Sequence, residues 1–286
     1  MTEEKIALLV DSASDVPEHI FAQYQNIVAV PMQLTIDGKT YADRETIEPD
    51  DFYLLQSTAK ELPKTASPVM GDVINRLATL KSRGFTHVIG ITISGALSVT
   101  NSLFKQVAES QDDVKMVVID TKNIGVGSGL FASYAESLID QQLPFTTIID
   151  KLNVSVPKSS VYIYIPTLKY LRAGGRIGRV AGFFGAALNI KPIITCDSDG
   201  VYTAIAKART EKKAVQKMVE LASQKISANK NARVAVAQGL NEPLLKQVTG
   251  DLQNRFPSLN IETGNISPAL GVHTGPGLVG IAVQVG

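Results

Sequence analysis

Apolar positions along the 286-residue chain fall in short blocks, each closed by a polar or glycine-containing loop. Residues 6–10 (Ile-Ala-Leu-Leu-Val), 26–31, 87–92 and 114–120 are apolar runs of strand length. Between them, residues 16–24, 69–83, 98–110 and 127–141 carry helix patterns, the second stopped by Gly84. Ser14 or Asp15 can cap the first of these helices, with Pro17 tolerated in its first turn. Residues 33–41, broken by Asp37-Gly38, read as a small hairpin, residues 49–57 as a helix and residues 63–68 as a loop. Strands that are apolar throughout and alternate with helices predict a parallel sheet covered on both faces.

A further helix pattern covers residues 144–153, and the rhythm changes near Pro157. Residues 160–165 alternate as a strand. Residues 192–197 and 201–206 flank Asp199-Gly200, a hairpin signal. Residues 211–227 form a long amphipathic pattern, and strands at 233–237, 259–266 and 280–285 surround a helix at 242–256. Adjacent strands with a hairpin turn predict a mixed α+β second domain.

Charge sharpens that division. The chain as a whole has a formal net charge of +1. Residues 1–150 carry 20 acidic and 11 basic residues, a net −9, whereas residues 151–286 carry 7 acidic and 17 basic, a net +10. Opposite signs on the two halves predict two domains with interdomain complementarity. No apolar run reaches the roughly 18–20 residues that span a bilayer. The opening residues lead straight into a strand pattern and not into a secretory signal. Cys196 is the only cysteine, which excludes an internal disulfide and a cysteine-based zinc site and fits the cytoplasm. With His19, His87 and His273 as the only histidines, metal chemistry has few ligands to draw on. The overall charge gives no footprint for nucleic acid.

Hydroxyls and glycines gather where first-half strands end, the place where open α/β sheets bind ligands. Four such segments are residues 11–15, 65–68, 94–100 and 121–129. In Ser94-Gly95-Ala96-Leu97-Ser98-Val99-Thr100, a helix opening near Ser98 would aim N–H groups and its positive end at a carboxylate or phosphate. A helix cap at Ser94 or Ser98 is the plainer alternative. Gly125, Gly127 and Gly129 lack the spacing of a dinucleotide loop, and neither a P-loop nor a nucleophile elbow occurs. His273-Thr274-Gly275-Pro276-Gly277 reads as a rigid loop, and Gly174-Gly175-Arg176 ends a basic turn. Arg176 is placed either to reach an anion or to pair with the acidic half. The charged run at residues 41–51 reads as solvated surface.

Together these segments resemble the DegV family of bacterial lipid-binding proteins. The resemblance runs through Asp11-Ser12-Ala13-Ser14-Asp15, Lys64-Thr65-Ala66-Ser67-Pro68, Leu97-Ser98-Val99-Thr100, Asp120-Thr121-Lys122, Thr167-Leu168 with Gly174-Gly175-Arg176, Lys191-Pro192-Ile193, Arg209 with Lys212-Lys213, and the His273 loop. It implies a three-layer α/β/α parallel-sheet domain over residues 1–156. A basic α/β domain with a mixed sheet follows over residues 157–286. A long-chain fatty acid lies between them, with no cofactor and no metal. It places Thr65 and Ser98 on the carboxylate, His273, Ser94 and Gly95 near it, and Arg176 and Arg209 at a phosphate or partner contact. It also implies a non-enzymatic carrier that hands its lipid to a separate fatty acid kinase. A hydrolase or phosphotransferase using His273 and Ser98 is the alternative. Ala66, Val69, Gly95, Val99 and Asn101 depart from the family pattern and bear on acyl selectivity. The apolar tunnel would draw on residues such as Ile91, Ile93, Phe131, Ile163, Ile165, Leu168, Phe183, Phe184, Leu188 and Leu278.

Overall fold

β1 (Ile6–Asp11) is buried along its whole length. Ala7 and Leu9 enter one core while Ile6, Leu8 and Val10 enter another, so the strand lies in a sheet covered on both faces. After α1 (Glu18–Gln23), β2 (Ile27–Val30) pairs parallel to β1. A hairpin of β3 (Gln33–Ile36) and β4 (Lys39–Ala42) turns through Asp37 and Gly38, both at positive φ. Beyond α2 (Pro49–Thr58), β5 (Lys64–Ala66) pairs antiparallel with β3, setting Thr65 opposite Leu34. α3 (Met70–Ser82), β6 (His87–Thr92), α4 (Thr100–Glu109) and β7 (Lys115–Asp120) complete a parallel sheet of order β2-β1-β6-β7. Val73, Leu77, Phe104 and Val107 of α3 and α4 cover its Ala7 face. α5 (Val126–Ile139) and α6 (Phe145–Ser155) cover the other with Phe131, Ala135, Ile148 and Leu152.

The second half contributes β8 (Ser160–Tyr164), α7 (Lys169–Ala173), β9 (Lys191–Cys196), β10 (Tyr202–Ala208), α8 (Glu211–Ser227) and β11 (Ala232–Gly239). α9 (Glu242–Arg255), β12 (Ile261–Asn265), α10 (Pro268–Thr274) and β13 (Leu278–Val285) follow. These strands form one sheet of order β10-β9-β8-β13-β11-β12, in which β11 and β12 run parallel and the other pairs antiparallel. The sheet is therefore mixed, as expected, and the whole is a two-domain α/β architecture. α8 and α9 pack on Tyr162, Val234, Val236, Val279 and Ile281. The opposite face carries Ala235, Ala237 and Ala282 and turns toward α5. α5 is apolar nearly all round and packs against both sheets, against β1 and β6 on one side and β11 and β13 on the other. Gly129 permits this, because a Cβ there would collide with the carbonyls of Ser14 and Asp15. The computed structural model describes residues 4–183 and 190–286, with the Phe183 side chain excluded. Phe184 and Leu188, expected near the lipid, lie outside the described residues.

Three expectations need correction. Lys64–Ala66 is a third strand beside the hairpin and not a loop; three residues are too few for a period-two pattern to be legible. Ser14 and Asp15 do not cap α1, whose N-cap is Pro17; both are buried and bonded elsewhere. The charged run at residues 41–51 is not wholly solvated, since Asp43 is 1% exposed. Across the halves, His19 Nδ1 on α1 lies 3.4 Å from Glu262 Oε2 on β12. Other polar contacts between the halves run largely from side chains to backbone: Arg44 to the Asn265 carbonyl, Ser94 to the Gly200 carbonyl and Arg176 to the Leu97 carbonyl.

One buried acid gives a test of the packing. Glu136 on α5 is 1% exposed, receives Asn26 Nδ2 on Oε2 at 3.0 Å and has no partner on Oε1. Burial pushes its carboxyl from 4.5 up to about 7. The folded protein therefore holds this proton more tightly than the unfolded chain, and stability is lost as pH rises through that window. Glu136→Gln keeps an acceptor for Asn26 without the charge. It should raise the free energy of unfolding near pH 8 by on the order of 1–3 kcal/mol, and the gain should vanish near pH 4. Calorimetry across that range checks both the sign and the disappearance.

Candidate functional site

The site is assembled around α10. Its amino end is held by acceptors brought from the first half. Asp15 Oδ1 accepts the Ser267 N–H at 2.9 Å, Asp43 Oδ1 accepts the Ala269 N–H at 3.2 Å, and Ser267 Oγ caps Leu270 N–H at 3.4 Å. Arg44 ties the carboxylates to β12, donating to Asp15 at 3.0 Å and to the Asn265 carbonyl at 2.6 Å. Ser12 links Asp43 to the start of the hairpin, donating to Asp43 Oδ2 at 2.6 Å and accepting the Met32 N–H at 3.0 Å. Burial pushes the carboxyls of Asp15 and Asp43 upward, against the lowering effect of Arg44 and their hydrogen bonds.

At the other end of α10 stands His273. It lies in the last turn of this helix and not in the loop that its glycine-rich flank suggested. Its Nε2 is 2.8 Å from Thr65 Oγ1 on β5. The ring packs so closely on Gly174 that any Cβ there would overlap it, which accounts for one of the two adjacent glycines ahead of Arg176. Burial, with the Arg176 charge second, lowers the imidazole from 6.5 to about 4, so it is neutral at physiological pH. Nδ1 is buried without a partner. A lone pair left unpaired there costs less than an unpaired N–H, which favours Nε2–H donating to Thr65 Oγ1. The Thr65 hydroxyl proton is then free to point into the adjoining cavity.

That cavity is lined by Thr65, Ser98, Arg176 and His273 together with Ala13, Met32, Ile93, Leu97, Ile124, Tyr202, Ala269 and Leu270. Four residues singled out from the sequence thus meet in one place, two from each half. Ser98 precedes α4, whose N-cap is Val99. Its Oγ lies 2.8 Å from Thr100 Oγ1 and accepts the Thr100 N–H at 3.3 Å. It therefore satisfies a first-turn N–H and still borders the cavity. Arg176 reaches across from the basic half, with Nε on the Leu97 carbonyl at 3.3 Å and one terminal nitrogen on the Gly174 carbonyl at 2.8 Å. A serine nucleophile would need Ser98 Oγ against an imidazole nitrogen; instead Ser98 is bonded to Thr100 and His273 to Thr65. Among the described residues, no group of three or more His, Cys, Asp or Glu is arranged to hold a metal ion.

Next to that cavity lies an almost wholly apolar one, lined by Val126, Val161, Ile163, Ala237, Ile266, Leu278 and Gly280 among others. Ile124, Tyr202 and Leu270 line both and form the partition between them. Each leaves about 30 Å³, on the order of one water's share of liquid volume. Of the residues expected along a tunnel, Ile93 borders the first cavity, and Ile163 and Leu278 the second. Ile91 and Phe131 are core residues of the first half instead, and Ile165 and Leu168 pack in the core between the halves. β11 alternates large and small residues (Val234, Ala235, Val236, Ala237), with the small members turned toward the core between the halves and Ala237 on the apolar cavity.

The remaining candidates stand apart from the cavity. Ser94 is fully buried and donates to the Gly200 carbonyl at 2.8 Å, pinning the β9–β10 turn to the first half. Gly200, at φ +82, has no room for a Cβ against Ser94. The Gly95 N–H is spent on Asp120 at 3.2 Å. Arg209 is exposed in the turn before α8. Missed by sequence reasoning were Met32, Tyr202 and Leu270, apolar residues without a chemical signature.

Comparison with known proteins agrees over the whole chain. A family model described as an uncharacterised protein of the DegV family matches residues 5–285. A DegV domain-containing protein of Clostridium acetobutylicum is 38% identical over 283 residues, covering 98% of this chain and 99% of its own. Among solved structures, DegV from Bacillus subtilis, described as a fatty acid binding protein, superposes with a TM-score of 0.90 at 25% identity over 99% of this chain and 100% of its own. A stearic acid-binding protein from Eubacterium ventriosum superposes with a TM-score of 0.88 at 25% identity, over 99% of this chain and 98% of its own.

The imidazole gives the test of this geometry. Long-range ¹H–¹⁵N correlation near pH 6 should show His273 neutral and protonated on Nε2, with its titration centred near 4. An imidazolium at that pH, or a proton on Nδ1, contradicts the arrangement.

Proposed function

Because the chain belongs to the DegV family, we propose that it binds a long-chain fatty acid between its two halves, with the carboxylate in the Thr65–Ser98–His273–Arg176 cavity. The observation that carries this reading is the shared wall between that polar cavity and the apolar one. An acyl chain lies along the small-residue face of the second sheet, past Ala237 and Gly280, once Ile124, Tyr202 and Leu270 move aside. A sixteen-carbon chain has about 14 methylenes worth about 0.8 kcal/mol each, roughly 11 kcal/mol gross. Charge-assisted hydrogen bonds add about 1.5–3 kcal/mol each, against an association cost on the order of 4–15 kcal/mol. The tail therefore sets affinity, and the hydroxyls set which end enters. His273 fixes the Thr65 hydroxyl as a donor, Ser98 supplies a second hydroxyl, and Arg176 supplies the charge.

In this reading the protein is a cytoplasmic carrier without a nucleic-acid partner. It presents its bound carboxylate at the exposed Arg176 side to a separate fatty acid kinase, with Arg209 on the contact face. No described helix is long and apolar enough to cross a membrane, in keeping with a lipid carried rather than a chain inserted.

Mass spectrometry of organic extracts from denatured protein should release long-chain fatty acid. Protein that yields none and also fails to take up added oleate or palmitate would falsify the proposal. Thr65→Ala combined with Ser98→Ala should weaken oleate at least about tenfold, the equivalent of one lost bond of about 1.4 kcal/mol. Unchanged affinity places the head group elsewhere. Ala237→Leu narrows the apolar cavity and should shift preference toward shorter acyl chains; a competition series from ten to eighteen carbons, on the order of one methylene step at a time, reads the shift.

A further inference from the structure

The walls of the Thr65–His273 cavity are fastened from behind by acids that do not line it. Met32, Ile93 and Ala269 all border the cavity. Asp11 Oδ2 accepts the Ile93 N–H at 2.8 Å, and Asp43 Oδ1 accepts the Ala269 N–H at 3.2 Å. Ser12, bonded to Asp43, accepts the Met32 N–H at 3.0 Å, and Asp15 holds the Ser267 N–H at 2.9 Å. Asp11, Asp15 and Asp43 are 0%, 4% and 1% exposed. They act on the cavity through the backbone they hold.

Among the described residues these three buried carboxylates share one bonded cation, Arg44, which sits on Asp15. Full ionisation leaves uncompensated negative charge in a desolvated place, a state that burial and like-charge repulsion both oppose. A proton relieves it best where an oxygen has no other bond to give up. Asp43 has both oxygens engaged, by Ala269 and Ser12. Asp15 has a free Oδ2 but keeps its charge against Arg44. Asp11 has a free, buried Oδ1, and its Oδ2 can go on accepting from Ile93 when Oδ1 is protonated. The Ser14 hydroxyl beside it, also buried, can turn its oxygen toward that proton.

We propose that Asp11 carries a proton while the head cavity is closed, and that this proton latches the cavity, its loss freeing the Ile93 turn and α10 to open. The charge left on Asp11 repels Asp15 and Asp43, which hold the amino end of α10. Opening hydrates all three, so the open form has the ordinary aspartate value of 3.8. In the closed form burial, followed by the charges of Asp15 and Asp43, pushes the Asp11 carboxyl to about 7, against the Ile93 and Ser14 hydrogen bonds. Burial also raises Asp43 to about 7, and Asp15, which has Arg44, to about 6. The closed form is thus favoured below this window and lost as pH rises through it. Other charged groups face the trio from neighbouring elements. Glu18 lies on α1, Glu45 is paired with Arg76, and Glu48 acts on Arg44. His19 pairs with Glu262, Glu242 lies on α9, and Tyr53 on α2 is acted on by Asp15. If the fatty acid needs the closed head cavity, a step that rests on the reading above, it binds with proton uptake and loses affinity in alkali.

Titration of the aspartate carboxyls by ¹³C NMR in the lipid-free full chain should show Asp11 titrating near 7. Amide exchange, corrected for its intrinsic rate, should show protection at Ile93, Ser267 and Ala269 falling at least about tenfold between about pH 6 and 8.5, while α8 keeps its own. Oleate affinity should fall by about tenfold over the same range. Asp11→Asn supplies a permanently neutral group with an acceptor for Ile93, and should hold exchange and affinity within about twofold across it. His19→Gln should keep the full pH response, which excludes the histidine as its source. An Asp11 carboxyl that titrates below about 5, protection that does not change with pH, or an Asp11→Asn variant with the wild-type response each overturns the proposal. The carboxyl titration decides it even where the variant fails to fold. Exchange that responds as expected in a protein that takes up no oleate supports the latch and overturns the fatty-acid reading instead.

Discussion

The first N–H groups of a helix have no partner within it, and in α10 those groups are taken up by residues that come from more than two hundred positions away. Asp15 accepts from Ser267, Asp43 from Ala269, and Ser267 closes the set by capping Leu270. Both aspartates are buried, and burial opposes their charge, so the arrangement is maintained at a desolvation cost that the N–H groups and Arg44 offset. A seven-residue helix has little stability of its own. Held at its amino end, it places Leu270 on the cavity partition and His273 against Thr65. Remove the carboxylates and neither the partition nor the hydroxyl donor has a fixed position.

The same network sets the local charge around the cavity at the other end of α10. The net −9 of residues 1–150 is an unfavourable field for a carboxylate, but the local groups decide. Asp15 and Asp43 direct their charge to α10 and Arg44, and neither lines the Thr65–His273 cavity. What lines that cavity is a threonine, a serine, a neutral imidazole and the guanidinium of Arg176. The charge split is real in the sequence, and His19 against Glu262 at 3.4 Å is one acid–base contact across the interface. Arg176 differs, since its bonds run to carbonyls of Leu97 and Gly174 and leave its charge uncancelled by a carboxylate partner in direct contact.

Legibility followed length and periodicity. The continuous strands of the parallel sheet, the α8 helix at Glu211–Ser227 and the Asp199-Gly200 hairpin could be read directly, because each repeats a pattern over enough residues or carries a turn residue with a positive φ. β5 and α10 could not, being three and seven residues long and stabilised by tertiary partners. Asp43 sits in a run of charges that looks solvated, and only the meeting of three distant segments buries it. Thr65, Ser98, His273 and Arg176 were legible as chemistry-bearing loop residues, and their convergence became visible with the fold. Ser94 and Gly95 carried the same local signal yet serve the interdomain contact and the Asp120 turn, because a serine or glycine at a strand end has the same appearance whether it faces a ligand or the neighbouring backbone.

The partition residues differ in how firmly they are held, and that difference bears on how a chain could pass. Leu270 belongs to α10, tied by aspartates at one end and by the Thr65–His273 bond at the other. Ile124 precedes α5, which is wedged between both sheets. Tyr202 begins β10, an edge strand of the second sheet, and packs against the short 3₁₀ turn Gly178–Phe183 through Val180. An edge strand is hydrogen-bonded on one side only. Displacing Tyr202 therefore breaks fewer constraints than displacing Leu270 or Ile124, so the partition between the two cavities is weakest on its β10 side, away from the Thr65–His273 bond and the Ser98 turn.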